Sequence, residues 1–198
     1  MLPFIGLTGG IGAGKSTALA AFERLGAVCL STDRVVHELY ALPDVRDAVV
    51  DRFGPEVLDE SSPPAIDRGA LAGKAFATEE GRRWLEELLW PRVGARMMAW
   101  RHDQEHADPP PRALVVEVPL LFESGLDRGY DATIAVIAAE PVRHRRASGR
   151  GHQALDERTA RQLTQEEKSQ RATYTVANDG TEDELAGKLS AILDTLAA

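Results

Sequence analysis

Near the amino end, Gly9-Gly10-Ile11-Gly12-Ala13-Gly14-Lys15-Ser16 spells G-x-x-x-x-G-K-[ST], and no other feature narrows the possible folds so far. Its context fits. Phe4-Ile5-Gly6-Leu7-Thr8 before it reads as a short buried strand, and Thr17 to Leu25 after it carries apolar residues at helical spacing. Glycines let successive amides turn inward around phosphate oxygens, and a helix N-terminus adds partial positive charge. Gly9, Gly10, Gly12, Ala13 and Gly14 then form a cradle from which Lys15 reaches the β- and γ-phosphates. The Ser16 hydroxyl is placed to ligate Mg²⁺, and Thr17 follows it into the helix. The expectation is a nucleotide-binding protein that uses ATP and Mg²⁺.

The 198 residues suit one α/β domain with a small helical insertion or lid. A net charge of −8 argues against a nucleic-acid partner and for a small-molecule one. Arginine is unevenly distributed: of nineteen, seven fall between Arg143 and Arg171, which in an acidic chain suggests a polyanion site. Cys29 is alone in the apolar run Val28-Cys29-Leu30, so neither a disulfide nor a CxxC site can form within the chain. No basic n-region precedes the first apolar run and no stretch approaches a membrane span. The expectation is a cytoplasmic protein with no membrane contact, a monomer or weak homo-oligomer.

Short β-like runs alternate with helical patterns, which predicts a parallel sheet wrapped by helices. After the first strand, strands are expected at Val28–Ser31, Ala113–Val118, Ala132–Ala138 and Tyr174–Ala177. Helices are expected around Val35–Tyr40, Val45–Phe53, Asp67–Phe76, Glu79–Leu89, Val93–Glu105, Arg143–Ser148, Asp156–Arg171 and Glu182–Leu196. Pro91 is expected to break or restart the periodic stretch from Trp84 to Trp100. The division this implies is a nucleotide-binding core of 1–43 plus 113–198, a helical substrate-binding insertion at 44–106, and a lid region at 143–165.

Ligands of parallel α/β sheets gather at the carboxyl ends of strands. That rule selects Asp33, just past the second strand, as a base for a substrate hydroxyl, a role compatible with capping the next helix. It also selects Glu117, at the end of the Leu114-Val115-Val116 run, as an acid that holds Mg²⁺. Phosphoryl transfer depends mainly on positioning and on cancelling charge, for which Arg offers a planar two-pronged donor. Arg150, between Gly149 and Gly151, is the first candidate, with Arg146 and Arg161 behind it. His102-Asp103-Gln104-Glu105-His106 matches the zinc pattern H-x-x-E-H, but no third ligand stands at useful spacing.

The whole chain resembles the dephospho-coenzyme A kinases. The likeness is carried by Ile5 to Thr17, Thr32-Asp33, Ile66-Asp67-Arg68 with Leu71 and Phe76, Leu85-Glu86, and most specifically Val118-Pro119-Leu120-Leu121-Phe122-Glu123. Arg146 and Arg150 fit the family's lid pattern, Arg161 and Gln165 its R-x-x-x-Q pattern, and Asn178-Asp179-Gly180 its last turn. The resemblance implies a P-loop NTPase three-layer α/β fold, with a parallel sheet, a helical substrate-binding insertion and a short Arg-bearing lid. It also implies ATP-dependent phosphorylation of the ribose 3′-hydroxyl of dephospho-coenzyme A. Carried over, Asp33 is the base, while Lys15, Ser16 and Arg150 handle phosphate and metal. Leu120, Leu121, Phe122 and Glu123 face the acceptor together with Arg161 and Glu117, and Asn178 lies near the adenine.

The chain departs from that pattern in places. It has Trp90-Pro91 for His-Pro, Ser31 for Asp, Arg143 for Gln, and Ala172-Thr173 for Ala-Asp; the family also has a Lys near Arg171. Two other readings use the same loop: another small-molecule or nucleoside kinase, and a non-catalytic ATP-binding regulatory protein. No N/T-K-x-D motif for reading a guanine base occurs.

Overall fold

The computed structural model describes residues 2–147 and 162–197. The chain forms two compact units, one built from residues up to Ser31 and from Arg101 onward, the other from Thr32–Trp100.

In the first unit, β1 (Phe4–Gly9), β2 (Val28–Ser31), β3 (Leu114–Glu117), β4 (Ala132–Ile137) and β5 (Tyr174–Ala177) form one parallel sheet in the order β2-β3-β1-β4-β5. The strands fall within a residue or two of their predicted runs. β1 occupies the centre and every one of its residues is buried, as an uninterrupted apolar run in a parallel sheet requires. Its side chains alternate between faces. Ile5 and Leu7 join a cluster with Ala18, Ala21 and Phe22 of α1 (Lys15–Arg24) and with Leu185, Leu189 and Leu193 of the last helix, Glu182–Ala197. On the other face Phe4 stacks on Tyr130 at 4.7 Å. Gly6 leaves room there, since a methyl in its place would sit 3.0 Å from the Tyr130 ring.

The second unit is helical: α2 (Thr32–Tyr40), α3 (Pro43–Phe53), α4 (Arg68–Ala75) and most of α5 (Glu79–Glu105). Asp67 caps α4, its Oδ1 accepting from the amides of Gly69 (2.8 Å) and Ala70 (3.1 Å). Two helices were expected between Glu79 and Glu105, yet α5 is continuous and carries Pro91 in its interior. An interior proline removes one backbone bond and costs about 3 kcal/mol. Several contacts offset it. Gly81, Leu85 and Leu89 bury one face, and Arg82–Glu86 (3.1 Å) and Arg83–Glu79 (3.0 Å) pair one turn apart. Arg92 Nη1 donates to the Leu88 carbonyl at 2.9 Å, bringing a side-chain donor to the turn that the proline disturbs.

Beyond β4 come α6 (Glu140–Ala147), α7 (Gln165–Arg171) and α8 (Glu182–Ala197). A helix was expected over Asp156–Arg171, but 162–164 are not helical. Thr164 starts α7 instead through a capping box. Its Oγ1 accepts from the Glu167 amide at 3.2 Å, and the Glu167 carboxylate accepts from the Thr164 amide at 2.8 Å. The part of that expected helix before 162, and the predicted Arg150 and Arg161, lie outside the described residues. Among the described residues no helix is long and apolar enough to cross a membrane.

Two outcomes follow from these packings. Pro91→Ala should raise the stability measured by urea unfolding by about 1–2 kcal/mol, less than the helix cost because alanine also loosens the unfolded chain; an unchanged or lower value would contradict it. Burial, with Glu23 adding to it, pushes the Cys29 thiol up to about 12. Iodoacetamide at pH 8 should therefore leave Cys29 unmodified in the folded protein and label it after denaturation.

Candidate active site

The loop between β1 and α1 opens at the carboxyl end of the central strand. Gly12 and Gly14 have φ of +75° and +95°, and Gly14 sits in the left-handed region as the N-cap of α1. Side chains are excluded at both positions by neighbours as well as by backbone. A methyl at Gly12 would lie 2.5 Å from the Arg143 carbonyl oxygen, and one at Gly14 would collide with Asn178 Nδ2. The loop closes through an Ala13 N–H to Gly10 carbonyl bond of 3.2 Å. Lys15 Nζ donates to the Gly9 carbonyl at 2.9 Å and the Gly10 carbonyl at 3.3 Å, which folds it back over the cradle. Ser16 and Thr17 stand in the first turn of α1, where amides have no helical acceptor.

Three side chains from distant sequence hold the loop from outside. Asn178 is 3% exposed, and its Nδ2 donates to the Ala13 carbonyl at 2.9 Å. Arg146 Nη1 donates to the Asn178 carbonyl at 3.1 Å, so these two predicted nucleotide ligands form one chain of contacts to the loop. Arg143 Nε donates to the Ile11 carbonyl at 3.0 Å, and its Nη2 lies 3.3 Å from the position a Gly10 methyl would take. Gln165 sets where β4 ends by pairing with Ala138 twice, accepting from its N–H at 2.9 Å and donating to its carbonyl at 3.0 Å.

Glu117 ends β3 beside Ser31 at the end of β2, and Ser31 Oγ donates to Glu117 Oε2 at 2.8 Å. That bond gives a use to one departure from the family pattern. Thr173 explains another: it exchanges bonds of 3.0 Å with Thr133, amide to hydroxyl in both directions, and so ties the start of β5 to β4. Trp90 is 56% exposed on α5.

After β3, Leu121 and Phe122 are buried, while Leu120 and Glu123 are partly exposed. The first unit thus contains Gly9 to Thr17, Glu117, Leu120 to Glu123, Arg146 and Asn178, whereas Asp33 opens α2 in the second unit. Among the described residues no three His, Cys, Asp or Glu side chains group for a metal. His106, past the end of α5, has Nδ1 2.7 Å from the His102 carbonyl oxygen.

Sequence reasoning gave Lys168 no role. Its side chain is fully buried, 2.8 Å from Glu123 Oε1, 2.8 Å from the Pro119 carbonyl and 3.2 Å from Thr8 Oγ1. Within Gln165-Glu166-Glu167-Lys168 it reads as part of a solvated helix face, and only the position of Thr164 as a cap sets which side it turns to.

The family model described as dephospho-CoA kinase matches residues 3–184. A dephospho-CoA kinase of Chlorobaculum tepidum is 35% identical over 197 residues, covering 97% of this chain and 94% of the relative. One of Moorella thermoacetica is 38% identical over 181 residues, covering 89% and 84%. A crystal structure of a Thermus thermophilus protein superimposes with a TM-score of 0.79 at 31% identity, covering both chains completely.

The clamp makes a direct test possible. Asn178→Ala leaves the buried Ala13 carbonyl without its donor, and losing about 1.4 kcal/mol there weakens ATP binding roughly tenfold. Isothermal titration checks this; an unchanged dissociation constant would mean the loop holds its shape without the clamp.

Proposed function

The chain belongs to the dephospho-CoA kinase family and is a kinase that uses a nucleotide to phosphorylate dephospho-CoA, and we propose that the groups described above carry out that transfer. The observation that carries this reading is the preformed glycine loop at the end of β1, with Lys15 folded over it. The loop amides and the first turn of α1 bind the β- and γ-phosphates of ATP. Lys15 leaves its two carbonyl partners for phosphate oxygens, exchanging neutral acceptors for charged ones.

The donor set near the loop fits a hard cation. Ser16 offers a hydroxyl and Glu117 a carboxylate already oriented by Ser31, and Mg²⁺ is ordinarily held by one or two such oxygens together with phosphates and water. When bound, Mg²⁺ neutralises charge on the transferred group. Arg150 adds a second source of positive charge, and Arg161 and Arg146 engage the remaining anionic groups.

Asp33 takes the proton from the ribose 3′-hydroxyl of the acceptor. The oxygen bonds to the γ-phosphorus as the bond to the β,γ-bridging oxygen breaks, and the electron pair departs on ADP. Connectivity supports this assignment: Asp33 follows Ser31, the last residue of β2, by two positions in the chain. Residues 44–106 supply the acceptor's binding surface, along with Leu120 to Glu123. Leu121 and Phe122, buried, fix that segment, and Leu120 and Glu123 keep exposed surface for contact.

A coupled assay of ADP release tests the acceptor. Dephospho-CoA should stimulate release far more than nucleosides, gluconate or shikimate; a sugar acid or nucleoside that outperforms it would refute the acceptor assignment. Asp33→Asn should leave ATP affinity near wild type and lower turnover by about two to four orders of magnitude, the scale of general-base loss. Turnover within about threefold of wild type would refute the base role. Lys15→Ala should weaken both ATP affinity and rate.

A further inference from the structure

We propose that Lys168 is a positioning residue for phosphoryl transfer: its single buried ammonium fixes the acceptor-bearing loop after β3 against the residue that leads into the phosphate loop. The proposal rests on the reading of Leu120–Glu123 as a contact surface for the acceptor. A lysine with no exposed surface is rare, because removing the ammonium from water is costly unless each N–H finds an acceptor. Lys168 has three donors and meets three acceptors: Thr8 Oγ1 at 3.2 Å, the Pro119 carbonyl at 2.8 Å and Glu123 Oε1 at 2.8 Å.

Those acceptors belong to different parts of the site. Thr8 is the residue before Gly9, on the sheet face opposite α1 and α8. Pro119 and Glu123 bracket Leu120, Leu121 and Phe122. Thr8 Oγ1 also donates to the Pro119 carbonyl at 3.3 Å, so the strand end and the loop are joined both directly and through Lys168. Glu123 Oε1 takes a second bond, from the Leu163 amide at 2.8 Å, which brings the approach to α7 into the same network. Glu123 Oε2 is buried and has no hydrogen-bond partner among the described residues, so the carboxylate depends on Lys168 for its only charged neighbour in the network. Burial draws the Lys168 ammonium below the ordinary lysine range while Glu123 opposes that shift.

Stability alone does not account for such a pair. Replacing a buried ion pair by neutral groups of similar shape is often neutral or stabilising, whereas removing one partner is strongly destabilising. What the pair gives is a fixed distance. The phosphate loop sits at one end of the network and the acceptor loop at the other, and an error of about 1 Å between reacting groups costs on the order of a hundredfold in rate.

The test follows from that contrast. The full-length K168M/E123Q double variant removes both charges together, keeps the shape of residue 123 and leaves no buried charge unpaired. Melting temperature, the KM values for ATP and dephospho-CoA, kcat, and the ratio of phosphorylated acceptor to phosphate released by hydrolysis are read beside wild type. The expected result is melting within about 3 °C of wild type, an ATP KM within about threefold, and kcat for the acceptor lowered roughly thirtyfold or more. The ratio of phosphorylated acceptor to free phosphate is expected to shift toward free phosphate. A double variant with wild-type melting, kcat and product ratio overturns the proposal. So does a loss of ATP affinity equal to the loss of kcat, which would place the effect on the cradle alone. Acceptor-dependent ADP release by the wild type, fully kept in the variant, would refute the positioning role while leaving the kinase reading intact.

Discussion

The bond from Asn178 Nδ2 to the Ala13 carbonyl ties the residue just past the last strand of the sheet to the glycine loop after the first strand. A loop of small residues has high conformational freedom, and an anion site is useful only if its amides already converge. In this chain the loop is held by contacts from outside it. Asn178 closes one side, the Arg143 backbone and guanidinium close another, and two glycines with positive φ fit the backbone between them. Arg146 then holds Asn178. Asn178 and Arg146, which bond to the loop directly and through one another, are thus among the residues that sequence reasoning assigned to contact with ligand.

Arginine use follows the same logic. In a chain of net charge −8, a basic cluster near its carboxyl-terminal third reads as a polyanion site. Two of its members, Arg143 and Arg146, have bonds to backbone carbonyls at or next to the phosphate loop. Such contacts hold the two guanidinium groups against the loop and the residue that bonds to it, and a group that is already ordered has less conformational freedom left to lose. Ser31 and Thr173 show that departures from the family pattern can remain inside the same architecture, each replacing a carboxylate by a hydroxyl that bonds to its neighbouring strand.

The sheet was legible because parallel strands buried on both faces are nearly continuous apolar runs, as in Phe4–Thr8 and Leu114–Val116, and the phosphate loop because its glycines recur at fixed spacing. Pro91 was misread because the rule against interior proline is local. The buried face of Leu85 and Leu89 and the Arg92 bond to the Leu88 carbonyl are tertiary and short-range compensations that the rule does not include. The start of α7 was misplaced because Gln162-Leu163-Thr164 carries no glycine or proline to mark a break, whereas a capping box at Thr164 fixes the boundary. Lys168 was invisible for a related reason. A lysine after two glutamates has the local signature of a surface helix, and only the fold brings Thr8, Pro119 and Glu123 around it.

The most direct measurement is a crystal structure with ATP and magnesium bound. The expected result is a triphosphate within the loop of residues 9–16, with Lys15 Nζ moved from the Gly9 and Gly10 carbonyls to phosphate oxygens and Asn178 still bonded to Ala13. Nucleotide bound elsewhere, with Lys15 still on those two carbonyls, would contradict it.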